Sequence, residues 1–156
     1  MPARSSDSPD LLVDTSVAVA LVVSDHEHHR QAFDALGDRR LGLCGHAAFE
    51  TYSVLTRLPP PARRTPAAVA RLLAQNFPYS RFLSVRAAAA LLARLEPNGI
   101  AGGSVYDALV GAAAAEHGIV LATRDRRALD TYRTLNVEVE LVACTAATGR
   151  RRAAQR

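Results

Sequence analysis

The sequence predicts an α/β fold, with helices covering a mainly parallel sheet of about five strands. Three observations carry this. Short apolar runs, Leu11-Leu12-Val13, Leu41–Cys44 and Ile119–Ala122, alternate with longer Ala- and Leu-rich stretches of helical period. The runs are continuous rather than alternating, as expected of strands covered on both faces. Acids and glycines stand beside them, so loops follow strands almost at once. Crossovers of one hand in such a fold bring the carboxyl ends of its strands to one edge.

Residues 1–10, rich in Ser, Pro and Asp, read as a flexible tail. The strand 11–13 ends at Asp14-Thr15-Ser16, which can cap a helix from Val17. A polar break at Ser24-Asp25 precedes a segment with His26, His28 and His29, which reads either as a solvated helix start or as part of a metal site. The second strand is stopped by Gly45, and a helix over 46–58 carries Glu50 near its start. Pro59-Pro60-Pro61 ends that helix, and Arg63-Arg64 lies in the link that follows. Thr65-Pro66 caps and starts the next helix. Phe82-Leu83 reads as a brief strand and 85–95 as another helix. An Ala-rich helix opens near Ser104, carries Asp107, and stops at Gly118. Asp125 follows the next strand, and a helix over 126–135 leads to residues 137–142, where apolar and acidic residues alternate as in an edge strand. A domain over 11–144 and a basic tail over 145–156 complete the reading.

Composition narrows the chemistry. Hydrophobic residues make up 49% of the 156 residues but aromatics only 5%, so the core is built from Ala, Leu and Val. All 19 basic residues are Arg. Without lysine there is neither a GxxxxGK phosphate loop nor a Schiff base. The lysine-dependent receiver domains are set aside on the same ground, and haloacid-dehalogenase-like phosphatases because Asp14-Thr15-Ser16 does not fit their D-x-D start. Cys44 and Cys144 sit in or beside apolar stretches and read as buried thiols. No apolar run reaches the ~18 residues that span a bilayer, and the N-terminus lacks an apolar leader, so no membrane partner is expected and the location is read as cytoplasmic.

Asp14, Glu50, Asp107 and Asp125 all stand next to strand ends or helix starts. Each has a bland reading. Asp14 and Asp125 can cap helices, Asp107 fits a capping-box variant after Ser104, and Glu50 suits a helix dipole. Together on one sheet edge they would repel one another and shift one another's titration. A hard divalent cation, Mg²⁺ or Mn²⁺, would resolve that conflict and could activate water against a phosphodiester.

The runs LLVDTSVAVALV, AAFETYSVLTRLP, GGSVYDALVGAAAAEHG and LATRDRRAL, in this order, resemble those of PIN-domain ribonucleases, most closely the toxin half of VapBC-type toxin–antitoxin pairs. The resemblance covers roughly residues 11–142. It implies a bacterial, three-layer α/β/α, Mg²⁺- or Mn²⁺-dependent endoribonuclease acting on structured RNA, a tRNA or an rRNA. It also implies a VapB-type antitoxin, with the helices 46–58 and 65–75 as its clamp, and a homodimer. On this resemblance Asp14 and Asp107 are direct metal ligands, Glu50 and Asp125 complete the shell, and Ser16 and Thr123 support them by hydrogen bonds. Arg124 and Arg126, then Arg63, Arg64 and the C-terminal Arg run, are the candidates for RNA phosphates. A catalytically silent PIN domain that binds RNA or a protein, and a DNA-directed nuclease, are the alternatives.

Overall fold

Strand β1 (Leu11–Val13) is buried along its whole length and holds the middle of the sheet. The computed structural model describes residues 7–142. β1 pairs in parallel with β2 (Leu41–Leu43) on one side and with β3 (Leu121–Thr123) on the other, and β4 (Val139–Leu141) lies beyond β3. Leu11 stands opposite Leu41, Leu12 opposite Leu121, and Leu121 opposite Val139. The order β2-β1-β3-β4 means that the chain leaves β1 and β3 in opposite directions. A crevice therefore opens between the carboxyl ends of these two neighbours, the position where parallel α/β sheets place their sites.

The described residues form four strands, so the brief strand read at Phe82-Leu83 does not form. The preceding segment touches β2 only through isolated bridges, Gly42 with Pro78 and Cys44 with Arg81. The reason is local. Pro78 has no N–H to give, and the Leu43 N–H donates to Ser80 Oγ at 2.9 Å, so a hydroxyl replaces a ladder carbonyl. The period-two segment does lie at the sheet edge, as β4, with each residue half-buried.

Helices α1 (Thr15–Val22), α2 (His29–Leu36), α3 (Ala47–Arg57), α4 (Pro66–Asn76), α5 (Val85–Leu95), α6 (Ser104–His117) and α7 (Leu129–Thr134) surround the sheet. Thr65 and Ser84 cap α4 and α5 as Ncap residues, accepting from the N–H of Ala68 and Ala87. Gly118 ends α6 in the left-handed conformation that favours glycine, φ +62°. Alternation along β1 divides the core. Leu11 and Val13 pack with Val17, Ala18 and Leu36, whereas Leu12 packs with Ala47, Ala113, Ala114 and Tyr132. Small residues on α6 bring it close to the sheet, where Cys44 Sγ donates to the Val110 carbonyl oxygen. Cys44 is a free, buried thiol whose pKa burial pushes far up.

Residues 7–10 run against the domain: Asp10 accepts from the Arg40 backbone N–H at 2.9 Å and from its guanidinium at 3.0 Å. Residues 1–6, Cys144 and the basic tail over 145–156 lie outside the described residues.

Candidate active site

Asp14 is the first residue after β1 and is only 5% exposed. As the N-cap of α1 it accepts the Val17 N–H at 3.2 Å on Oδ1, which also takes Ser16 Oγ at 2.6 Å. Oδ2 accepts from Thr123 Oγ1 and, at 3.4 Å, from the Tyr132 hydroxyl. Burial raises its pKa, and the donors from Ser16, Thr123 and Val17 oppose the rise. Two hydroxyls also pass the geometry on. Thr123 Oγ1 accepts the Asp125 N–H at 3.0 Å, and Ser16 Oγ accepts the Arg124 N–H at 2.9 Å. The loop after β3 is thus tied to the end of β1, and Asp125 is set by that tie.

Asp125 caps the 3-10 turn over Arg126–Ala128, accepting the Arg127 N–H at 2.9 Å. The Arg127 guanidinium grips both of its oxygens at 3.1 Å, and these hydrogen bonds hold its carboxyl below the usual range. Glu50 sits in the first turn of α3 and accepts from Thr15 Oγ1 at 2.8 Å. Asp107 sits in the first turn of α6. No capping box forms there: α6 opens at Gly103 without a side-chain cap, and Ser104 Oγ donates to the Ala101 carbonyl at 2.7 Å. The Asp107 pKa is pushed up to about 6, first by burial and then by the negative charge of Asp125, Asp14 and Glu50.

The acids of β1, α3, α6 and the β3 loop therefore share one open cleft of about 200 Å³, lined also by Thr15, Ser16, Val110 and Tyr132. Capping and convergence are not alternatives for Asp14 and Asp125, since the same carboxylates do both.

The arginines separate. Arg124 and Arg127 line an adjoining groove with His26 and His28. Arg126 is exposed and lines neither that groove nor the cleft. Arg63 and Arg64 line a different hollow, with Pro60, Pro61 and Pro66, that contains none of the four acids. The histidines are engaged locally: His29 Nδ1 lies 2.9 Å from the Ala20 carbonyl oxygen, and His26 Nδ1 accepts the His28 N–H. Arg127 and Tyr132 are the residues that sequence reasoning missed. Arg127 was hidden in the run Arg124–Arg127, where only the Asx turn at Asp125 selects the residue two positions on. Tyr132 gave the weaker signal of one phenol on an otherwise aliphatic helix face.

Among the described residues no three His, Cys, Asp or Glu side chains are already drawn together at metal-binding distance. The donors nonetheless suit a hydrated Mg²⁺ or Mn²⁺. All are oxygens, they come from separate elements around an open cleft, and burial with mutual repulsion lifts Asp107.

Comparison with known proteins bears on this geometry. The PIN domain family model matches residues 11–134. The chain belongs to the PIN-domain family. Two PIN-domain relatives from Mycobacterium tuberculosis are each 50% identical to it: Ribonuclease VapC27 over 135 residues, 86% of this chain and 98% of the relative, and Ribonuclease VapC40 over 131 residues, 83% and 96%. The PIN fold also superimposes on the DNA-bound VapBC of Salmonella typhimurium, with TM-score 0.62, 20% identity and coverage of 86% of this chain and 98% of that one. FitAcB from Neisseria gonorrhoeae gives TM-score 0.60 at 17% identity, over 85% and 97%. At these identities the structural likeness concerns the fold.

Proposed function

We propose that this PIN domain is a VapC-type toxin, a Mg²⁺- or Mn²⁺-dependent endoribonuclease that hydrolyses phosphodiester bonds of a specific structured RNA, a tRNA or an rRNA. The observation that carries the reading is the gathering of Asp14, Glu50, Asp107 and Asp125 on one cleft. The 50% identity to two named VapC ribonucleases supports it.

Asp14 and Asp107 would hold the ion directly, with Glu50 and Asp125 completing its surroundings. Bound there, such an ion supplies Lewis acidity toward the phosphoryl group and acidifies water. The chain's own residues set the stage. Ser16 and Thr123 orient Asp14, Thr15 fixes the Glu50 carboxylate, and Arg127 holds Asp125 by a two-pronged grip. Arg124 and Arg127, beside His26 and His28, line the groove along which the RNA backbone can lie, and their guanidinium groups suit its phosphates. A VapB-type antitoxin is the proposed protein partner, with α3, the Pro-rich link and α4 as its clamp, and a homodimer is the proposed assembly.

The test is cleavage of total cellular RNA with and without Mn²⁺, wild type beside Asp107→Asn. Discrete metal-dependent cuts that vanish in the variant support the reading, and end-mapping then gives the target. A well-folded protein that binds Mn²⁺ but leaves every RNA intact, including purified tRNA and rRNA, refutes it.

A further inference from the structure

A groove walled by aromatic rings adjoins the acid cleft at Glu50. His46 and Tyr106 stack with ring centroids 5.0 Å apart and planes 21° from parallel. His46 also lies 6.4 Å from Phe49, and Phe49 meets Phe82 edge-on at 6.0 Å. The chain has only four Phe and four Tyr, of which Phe77 and Tyr132 are buried in an otherwise aliphatic core. Yet Phe49 is 66% exposed, Tyr106 55% and Phe82 51%. Burial is the usual reason to hold an aromatic ring in place, and it does not account for these.

Their placement is tied to the acids. Phe49 precedes Glu50 on α3, and Tyr106 precedes Asp107 on α6. Successive helix residues point about 100° apart, so where the acid faces the cleft the preceding ring faces the adjoining surface. Glu50 lines both the acid cleft and the neighbouring groove, which is otherwise formed by His46, Phe49, Ser53, Arg57 and Tyr106. The two are continuous. Arg57 is exposed at that groove and adds a cation.

We propose that His46, Phe49 and Tyr106 form a stacking platform for unpaired nucleobases next to the scissile phosphate, with Arg57 on the backbone. This rests on the ribonuclease reading of the cleft. Exposed π-faces accept any base, and a cation beside them suits the phosphate chain. A protein partner is the competing occupant. The antitoxin proposed above would share α3, but the hollow at the Pro-rich link holds none of these rings, and the exposed aliphatic Val85 and Leu92 lie on α5, outside this groove.

The experiment uses the full chain in EDTA, where metal-dependent cleavage is silent. The probe is a single-stranded RNA oligonucleotide carrying 2-aminopurine, beside its duplex. Stacking on a ring quenches the 2-aminopurine. The wild type and Tyr106→Phe should bind and quench the single strand and bind the duplex at least about tenfold more weakly. Tyr106→Ala and Phe49→Ala should bind about 5- to 150-fold more weakly, the equivalent of one stacked base, with quenching lost. Unchanged affinity and quenching in the alanine variants, or no binding by the wild type, overturns the platform. A change of oligomeric state in those variants, by sedimentation, with oligonucleotide affinity intact also overturns it and assigns the wall to a protein interface. Failure of the ribonuclease reading looks different: stacking persists and depends on Tyr106, but no RNA is cut when Mn²⁺ is restored.

Discussion

Replacing Asp107 by Asn should stabilise the metal-free protein, and the size and pH dependence follow from the cleft. Burial and the charges of Asp125, Asp14 and Glu50 lift the Asp107 pKa from 3.8 to about 6. A rise of that size corresponds to about 3 kcal/mol against the ionised form, and solvent screening in an open cleft reduces it to roughly 1–2 kcal/mol. Between these pKa values the folded state holds a proton that the unfolded chain has released. Stability therefore falls as pH rises from 3.8 to about 6, and the full penalty is present above that. Asn carries no charge and avoids the penalty. For a chain of this size 1 kcal/mol moves Tm by roughly 2–4 °C, so the variant should melt about 3–6 °C above wild type at pH 7.5 in EDTA. The gap should shrink as the pH approaches 4. Millimolar Mn²⁺ should raise the wild-type Tm and leave the variant nearly unmoved. The assay is thermal unfolding by circular dichroism from pH 4 to 8, with EDTA and with Mn²⁺. A variant that melts below wild type at pH 7.5, or a gap that persists on acidification, would refute the claim that Asp107 bears the repulsion of this cleft.

Other substitutions have opposite or independent signs. Asp14→Asn should destabilise by about 1–3 kcal/mol, measured by urea unfolding, because an amide NH₂ would face donors from Ser16, Val17, Thr123 or Tyr132 in a buried site. Thr15→Val should leave Tm within about 1 kcal/mol of stability, since Thr15 to Glu50 is an exposed hydrogen bond, but should weaken Mn²⁺ binding several-fold by calorimetry. Gly42→Ala should cost more than 3 kcal/mol, or prevent folding, as judged by soluble yield and chemical denaturation. A Cβ there would lie 2.2 Å from the Tyr79 carbonyl oxygen, and backbone cannot turn aside as a side chain can.

Much of this protein was legible in the chain because the relevant signals are local. The apolar runs at 11–13, 41–44 and 119–122 became β1, β2 and β3 because a strand buried on both faces must be apolar at every position. Thr65-Pro66 and Gly118 marked a helix start and stop through the backbone groups that a terminus leaves unpaired. The four acids stood out because each adjoins such punctuation, and PIN-domain membership was readable from the short runs around them. What the tertiary structure alone decided depends on contacts between distant residues. Thr123 and Tyr132 reach Asp14 across more than a hundred positions, and these donors make the buried carboxylate a hydrogen-bonded anchor between distant segments. Arg127, rather than Arg124 or Arg126, holds Asp125 because one tight turn aims it there. Phe82 stayed out of the sheet because β2 ends at Leu43 and the chain turns at Gly45, φ +54°, so no backbone partner follows the bonds of Arg81 to Leu43 and Gly45. The ring row of His46, Phe49, Tyr106 and Phe82 joins α3, α6 and the segment before α5. Periodicity reports which face of an element is apolar, and only packing reports what that face meets.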